Sequence, residues 1–368
     1  MFAGPMARTA DQEALSRAQQ LAQSGSPREQ IWNDTGWFQG VDGKWRFEID
    51  DSAARLRTNE EVQALGEGMI GRARELEQGV RARNAALREQ PDFFPATVRR
   101  ANGEARAEAR GLRERANENY GPSWNEYNGR RMEYDFEHPE LYQAYPEVGR
   151  DVIVARPGMS QIDPGVRGSY NDSRITLRRS GDQTSTTLHE TQHHLQDVEG
   201  FARGGSGSSA YMSGDLRGAW VAEADRILTP PSYDQFAANE TFRGVPEAEV
   251  RAQYDKMVHD LAAARRDMYS PIARNAQETA AYNIYRRLAG EVEARNTQTR
   301  QAMGRSERRA RAPWETQDVP DDQQIVRFGD GPSNALGDAI RVGAGLGGIG
   351  LAGDFTLRQL LRDNMQGS

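Results

Sequence analysis

Leu188-His189-Glu190-Thr191-Gln192-His193-His194-Leu195 is the stretch on which the reading of this chain turns. Its inner five residues form an H-E-x-x-H motif, in a sequence that holds five histidines altogether. Residues four apart share one face of an α-helix, so His189 and His193 can meet one metal ion. Glu190, one position after the first histidine, can reach a metal-bound water from the side. Zinc takes N and O ligands tetrahedrally, and a catalytic site keeps one position for water. The expectation is therefore a Zn2+ site with Glu190 as general base, moving a proton from that water to a leaving amine.

Two histidines do not complete such a site. No later histidine falls at H-x-x-G-x-x-H spacing; His259 stands alone downstream. A carboxylate is the expected third ligand. Glu291, in Gly290-Glu291-Val292-Glu293-Ala294-Arg295, is the favoured candidate. It closes the apolar helical face of Ala281, Ile284 and Leu288, while Gly290 and Ala294 are small enough for close helix approach. Asp197, Glu199 and Glu293 remain alternatives. Candidate donors to a developing oxyanion are Tyr282, Tyr285, Tyr211 and Arg203, with no choice among them. Glu278 and Asp197 are candidates for orienting the imidazoles. His194 reads as a helix-surface or supporting residue, and His138, before Pro139, as a cap or packing residue.

Outward from the motif, 168–170 and 175–177 flank Asn171-Asp172-Ser173 as a hairpin, preceded by a strand at 148–155. A peptide substrate could pair with the hairpin's edge while its carbonyl meets the metal. The motif helix is expected over 184–199, ended by Gly200 and the Gly/Ser run beyond. Residues 246–266 and 272–300 read as helices, and 314–328 as extended or irregular.

The N-terminal half is organised differently. A short helix is expected over 11–23, and Ser26-Pro27-Arg28-Glu29 supplies a cap, a proline and an N3 glutamate for a second, ending near Trp32. Trp37, Trp45, Phe47 and Ile49 flank Asp42-Gly43 as a hairpin over a minor core, with a ligand platform as the lesser reading. Residues 59–89 and 97–119 are Ala-, Glu- and Arg-rich helices, broken at Pro91-Asp92-Phe93-Phe94-Pro95. Their alternating arginines and glutamates describe solvated faces rather than a basic groove for nucleic acid.

The chain has 368 residues, a net charge of -7 and no cysteine. Disulfides, thiolate nucleophiles and cysteine-based zinc sites are excluded. Mean hydropathy is -0.82, which suggests long solvated helices around a smaller core. No basic-then-apolar leader opens the sequence, and no stretch reaches the roughly 20 apolar residues of a membrane span. The glycine-rich Gly343–Gly353 lacks the G-K-[ST] of a phosphate loop, leaving a flexible or membrane-touching tail.

Several of these stretches resemble modules of the large polyvalent proteins of bacteriophages and related mobile elements. The resemblance rests on Trp32-Asn33-Asp34-Thr35-Gly36-Trp37, Asp42–Ile49, Leu188–His193 with Gln196 and Glu199–Gly205, Tyr285–Asn296, and Pro313-Trp314-Glu315-Thr316. It spans roughly residues 27–328. It implies a zincin-like metallopeptidase module of the Glu-zincin type, in which a second helix supplies a Glu followed at +3 by a small residue. Glu291 and Ala294 match that pattern. The gap of almost a hundred residues between His193 and Glu291 exceeds that of compact members and leaves room for a helical insertion.

The expected architecture is α+β and predominantly helical, with a zincin-like core of a small antiparallel sheet and an active-site helix. The expected organisation is 1–57 (helices and Trp-rich hairpin), 58–135 (charged helices), 136–328 (metallopeptidase domain) and 329–368 (glycine-rich tail). The metal ligands are expected to be His189, His193 and Glu291. The expected partners are a protein or peptide substrate and phage virion proteins, with no specific nucleic acid. The expected setting is a virion or, after delivery, the host cytoplasm. A virion structural or ejected interaction protein retaining the fold is the alternative, followed by a cell-wall hydrolase and an effector or toxin.

Overall fold

The computed structural model describes residues 1–89, 96–120, 129–155, 167–178, 181–205, 214–328 and 341–342. The Pro91–Pro95 break, Tyr211 and the glycine-rich stretch 343–353 lie outside these residues. The described chain is mostly helical with small sheets, and it divides into two compact units.

The first unit comprises Met1–Gly40, Trp45–Glu199 and Asn296–Thr316. Strand β1 (Phe2–Ala3) precedes α1 (Gln12–Gln23), which Asp11 caps through the Ala14 N–H. Helix α2 (Arg28–Thr35) begins after Pro27 with no side-chain cap, so Ser26 does not fill the expected role. It runs past Trp32 to a left-handed Gly36. β2 (Phe38–Gln39) and β3 (Trp45–Glu48) form the expected hairpin, and β1 adds to the far side of β3. Trp37 is buried against Phe47, so the tryptophan reads as core.

β4 (Arg55–Leu56) pairs with β6 (Phe136–Glu137), and between them run α3 (Asn59–Arg88), α4 (Ala96–Tyr120), β5 (Arg130–Arg131) and α5 (Met132–Asp135). Thr58 and Glu61 form a capping box that starts α3. α6 (Pro139–Ala144) is capped by His138, whose Nδ1 accepts from the Leu141 N–H.

The strand expected over 148–155 is mostly α7 (Pro146–Asp151), leaving only β7 (Ile153–Ala155) extended. Pro146 favours the first helical turn, and Val148 and Val152, four apart, are both buried. β8 (Gly168–Asn171) and β9 (Arg174–Leu177) form the expected hairpin around Asp172 and Ser173, both at positive φ. The sheet order is β5-β7-β9-β8, and β7 and β9 run parallel, so this sheet is mixed rather than antiparallel. Burial explains the order: Ile175 and Leu177 of β9 are fully buried and take an inner place, while Ser169 and Asn171 of β8 are exposed at the edge.

Helix α8 (Gln183–Glu199) carries the motif. Asp182 Oδ1 accepts from the Ser185 N–H at its start, and Gly200 at φ 66° ends it. Leu188 and Leu195 enter the core beside Met132, Val154 and Ile175, each leucine contributing about 1.5–3 kcal/mol. The helix is polar for a buried element. Thr186, Thr187 and Thr191 satisfy their hydroxyls on carbonyls four residues back, which removes the cost of burying them.

The second unit comprises Val41–Lys44, Gly200–Arg295 and the chain from Gln317 onward. It contains α9 (Arg217–Ile227), α10 (Tyr233–Ala237), α11 (Glu247–Arg266) and α12 (Pro271–Arg287). Phe236, Leu261 and Ala273 lie in one of its cores, and Leu216, Ile284 and Leu288 in another. The helix expected over 272–300 is broken at Leu288, which bridges to Ile325 in the parallel sense. The chain resumes as α13 (Ala289–Arg300), followed by α14 (Arg305–Ala310), two short 3-10 turns and β10 (Ile325–Val326), which pairs with β11 (Arg341–Val342). α13 is continuous from Ala289, and its residues from Asn296 onward belong to the first unit.

Candidate metal centre

His189 and His193 stand one turn apart on α8, both partly buried. Their Nε2 atoms lie 3.2 Å apart. Each Nδ1 meets a side-chain amide oxygen: Gln298 Oε1 at 3.1 Å from His189, and Gln196 Oε1 at 2.9 Å from His193. The Gln298 amide nitrogen donates to the Ser185 carbonyl at 3.2 Å and hydroxyl at 3.0 Å. Its oxygen is therefore the atom that faces His189, and His189 must carry its proton on Nδ1. His193 presents its Nδ1 to the Gln196 oxygen in the same way. With Nδ1 of each imidazole engaged in this way, both Nε2 atoms are turned toward one point. Nitrogens tetrahedrally bound to zinc at 2.0–2.1 Å would be separated by about 3.3 Å.

Glu291 is 1% exposed on the first turn of α13, and its Oε1 accepts from the Gly205 N–H at 3.0 Å. Two imidazole nitrogens and a carboxylate oxygen have the donor chemistry of a His2Glu zinc site, so the residues present fit the ion. Gly290 sits closely against the 202–204 backbone. A Cβ there would lie 2.3 Å from the Arg203 carbonyl carbon and the Gly204 nitrogen. Ala294 is fully buried.

The alternative carboxylates have other surroundings. Glu199 accepts from the Gly4 and Met6 N–H groups and, at 2.6 Å, from the Tyr145 hydroxyl. Asp197 is exposed, and Glu293 is partly buried. Of the proposed oxyanion donors, Tyr282 is 56% exposed, Tyr285 and Arg203 are partly buried, and Tyr211 is outside the described residues. Glu278 is exposed. Gln196 and Gln298 meet the imidazoles, and the sequence singles out neither for that role. Gln196 had a signal, being three residues past His193 on one helical face. Gln298 had none until the pairing of α8 with α13 was known.

Glu190 is 7% exposed and lies against the edge strand. A Cβ at Gly168 would come within 3.0 Å of its Oε1 and 2.5 Å of Thr186 Cγ2. His194 meets the Tyr170 hydroxyl at 3.0 Å through Nδ1. Burial holds the His194 imidazole below its ordinary value, against the opposing pull of Asp197.

Residues 1–57 match the family model described as Large polyvalent protein associated domain 23. No curated protein and no solved structure matches the chain. The match ties the N-terminal segment to large polyvalent proteins and covers none of His189, Glu190, His193 or Glu291. Among the described residues, no helix is long and apolar enough to cross a membrane.

Proposed function

We propose that this chain is a zinc-dependent peptidase of the Glu-zincin type, with His189, His193 and Glu291 as metal ligands and Glu190 as general base. The observation that carries the reading is the pair of Nε2 atoms 3.2 Å apart, each imidazole oriented from behind by a glutamine oxygen. Orientation of this kind is what metal-binding histidines require. Bound zinc would acidify a water and polarise the scissile carbonyl. Glu190 would take the proton of the attacking water and deliver it to the leaving amine. Strand β8, at the edge of its sheet and beside Glu190, suits an extended peptide that adds alongside it.

The family match at residues 1–57 supports work within a large polyvalent protein system. Together with the resemblance of the later motifs, it favours a bacteriophage setting, in the particle or in the host after delivery. Metal analysis of the purified chain should find one zinc, lost in His189→Ala and His193→Ala. Glu190→Gln should keep the zinc and lose peptide cleavage by about 100-fold or more. Full cleavage by zinc-loaded Glu190→Gln would overturn the mechanism. Zinc binding without turnover of any peptide, at structural copy number in a particle, would favour the alternative of a virion or ejected protein retaining the fold.

A further inference from the structure

Gln192 lies inside the motif, but its carboxamide serves other elements. The Phe2 N–H donates to Gln192 Oε1 at 2.9 Å, and Gln192 Nε2 donates to the Phe2 carbonyl at 3.0 Å. The side chain thus completes a two-bond ring with the backbone of β1, as a paired strand would. The Thr297 hydroxyl of α13 donates to the same Oε1 at 3.3 Å. Both side chains are fully buried. Thr297 precedes Gln298, the residue that orients His189. Two turns further along α8, Glu199 holds the Gly4 and Met6 N–H groups, so residues 2–6 are anchored to α8 at two points.

The geometry points to Gln192 as a positioning residue that registers α8 against the Thr297–Gln298 turn of α13 and so fixes how the metal-binding imidazoles are oriented. This rests on the zinc reading proposed above. Apolar contacts such as those of Leu188 and Leu195 hold a helix in a core but are non-directional and allow small axial slides. A helix rises 1.5 Å per residue, and metal–ligand distances tolerate only about 0.2 Å of error. Directional hydrogen bonds from a buried carboxamide to both β1 and α13 supply the register that packing leaves open. The family-matched N-terminal segment is, on this reading, a brace for the metal helix.

The test uses the full chain with Thr297→Val, which removes the hydroxyl at nearly constant volume, Thr297→Ser, which restores it, and Gln192→Leu. Zinc affinity is measured by chelator competition, and site geometry by the visible absorption of the Co2+-substituted protein. Thr297→Val should weaken zinc about 10-fold and Gln192→Leu about 10- to 100-fold. Both should alter the cobalt spectrum, and Thr297→Ser should restore it. A purely structural role would lower the stability of the metal-free protein and leave that spectrum unchanged. If Gln192→Leu fails to fold, the threonine pair decides. Zinc binding by the unmutated chain, with unchanged affinity and spectrum in Thr297→Val, overturns the positioning role alone. Absence of zinc binding by the unmutated chain overturns the zinc reading and this inference with it.

Discussion

Gly290 and Gly168 each sit where a neighbouring backbone or side chain leaves no room for a methyl group, and each adjoins an acid of the site. Gly168 faces Glu190 and Thr186, and Thr186 is itself held by its hydroxyl on the Asp182 carbonyl. Gly290 faces backbone, which yields less than a side chain. A methyl carbon added to Gly290 would fall 2.3 Å from Gly204 N, one residue before the Gly205 N–H that donates to Glu291. Gly290→Ala must therefore push the 202–205 strap away from the start of α13. The expected cost is about 1–3 kcal/mol of stability, the range for overpacking, together with weaker zinc binding as the Glu291 carboxylate loses its donor. Urea denaturation and chelator competition on the same preparation check both. An alanine variant with unchanged midpoint and affinity would show that the strap is free to move.

Elements differ in how plainly their residues announce them. The motif helix was legible because two imidazoles at i and i+4, leucines at 188 and 195 and a terminal glycine agree on one period. That His189 and His193 face one point follows from the same spacing. The break at Leu288 was not legible, since Arg287-Leu288-Ala289 is built of good helix formers. It is imposed by tertiary contacts, the bridge of Leu288 to Ile325 and the approach of Gly290 to the 202–204 backbone. Strand order in the mixed sheet was hidden for a similar reason, because a hairpin pattern does not say which of its strands takes the inner place. Glutamines 196 and 298 were hard to see since an uncharged amide carries no mark of metal chemistry. At this scale the α9–α12 pair offers a pH test. Burial opposes ionisation of Glu223, but hydrogen bonds from Arg226 and Asn283 outweigh it and hold the carboxyl below its ordinary value of 4.5. A depressed carboxylate stabilises the fold above its unfolded value, and that contribution is lost as pH falls below 4.5. Urea midpoints should therefore drop between about pH 6 and pH 3 less steeply in Glu223→Gln than in the unmutated chain. Equal slopes would remove Glu223 from the acid response.

At the scale of the molecule, the family match stops at residue 57, but the packing does not. Glu48, inside the matched segment, accepts from Arg300 Nε and Nη2 at 2.7 Å and also pairs with Arg308. Arg300 is fully buried and reaches on to the carbonyls of Arg308 and Arg311 at 3.0 and 2.9 Å. Trp32 packs edge-on against Trp314, and its indole N–H donates to the Arg309 carbonyl at 3.1 Å. Residues 296–316 thus supply the countercharges and part of the core that 1–57 lacks. A segment of that length is near the lower limit at which a domain stabilises itself without metals or disulfides. Residues 1–57 expressed alone should accordingly show no dispersed amide spectrum and no cooperative thermal transition. In the full chain, Glu48→Gln should cost about 3–5 kcal/mol, the penalty for leaving the buried Arg300 guanidinium without its carboxylate, while Arg308 keeps Asp50 and Asp51. A cooperatively folded 1–57 fragment would mean that the segment is an autonomous module, merely docked on α13 and α14. A near-neutral Glu48→Gln would instead mean that the carbonyls of Arg308 and Arg311 suffice for Arg300. Loss of both together would establish that the part of this chain shared with large polyvalent proteins is completed by residues some 250 positions away, as the separation of Glu48 and Arg300 requires.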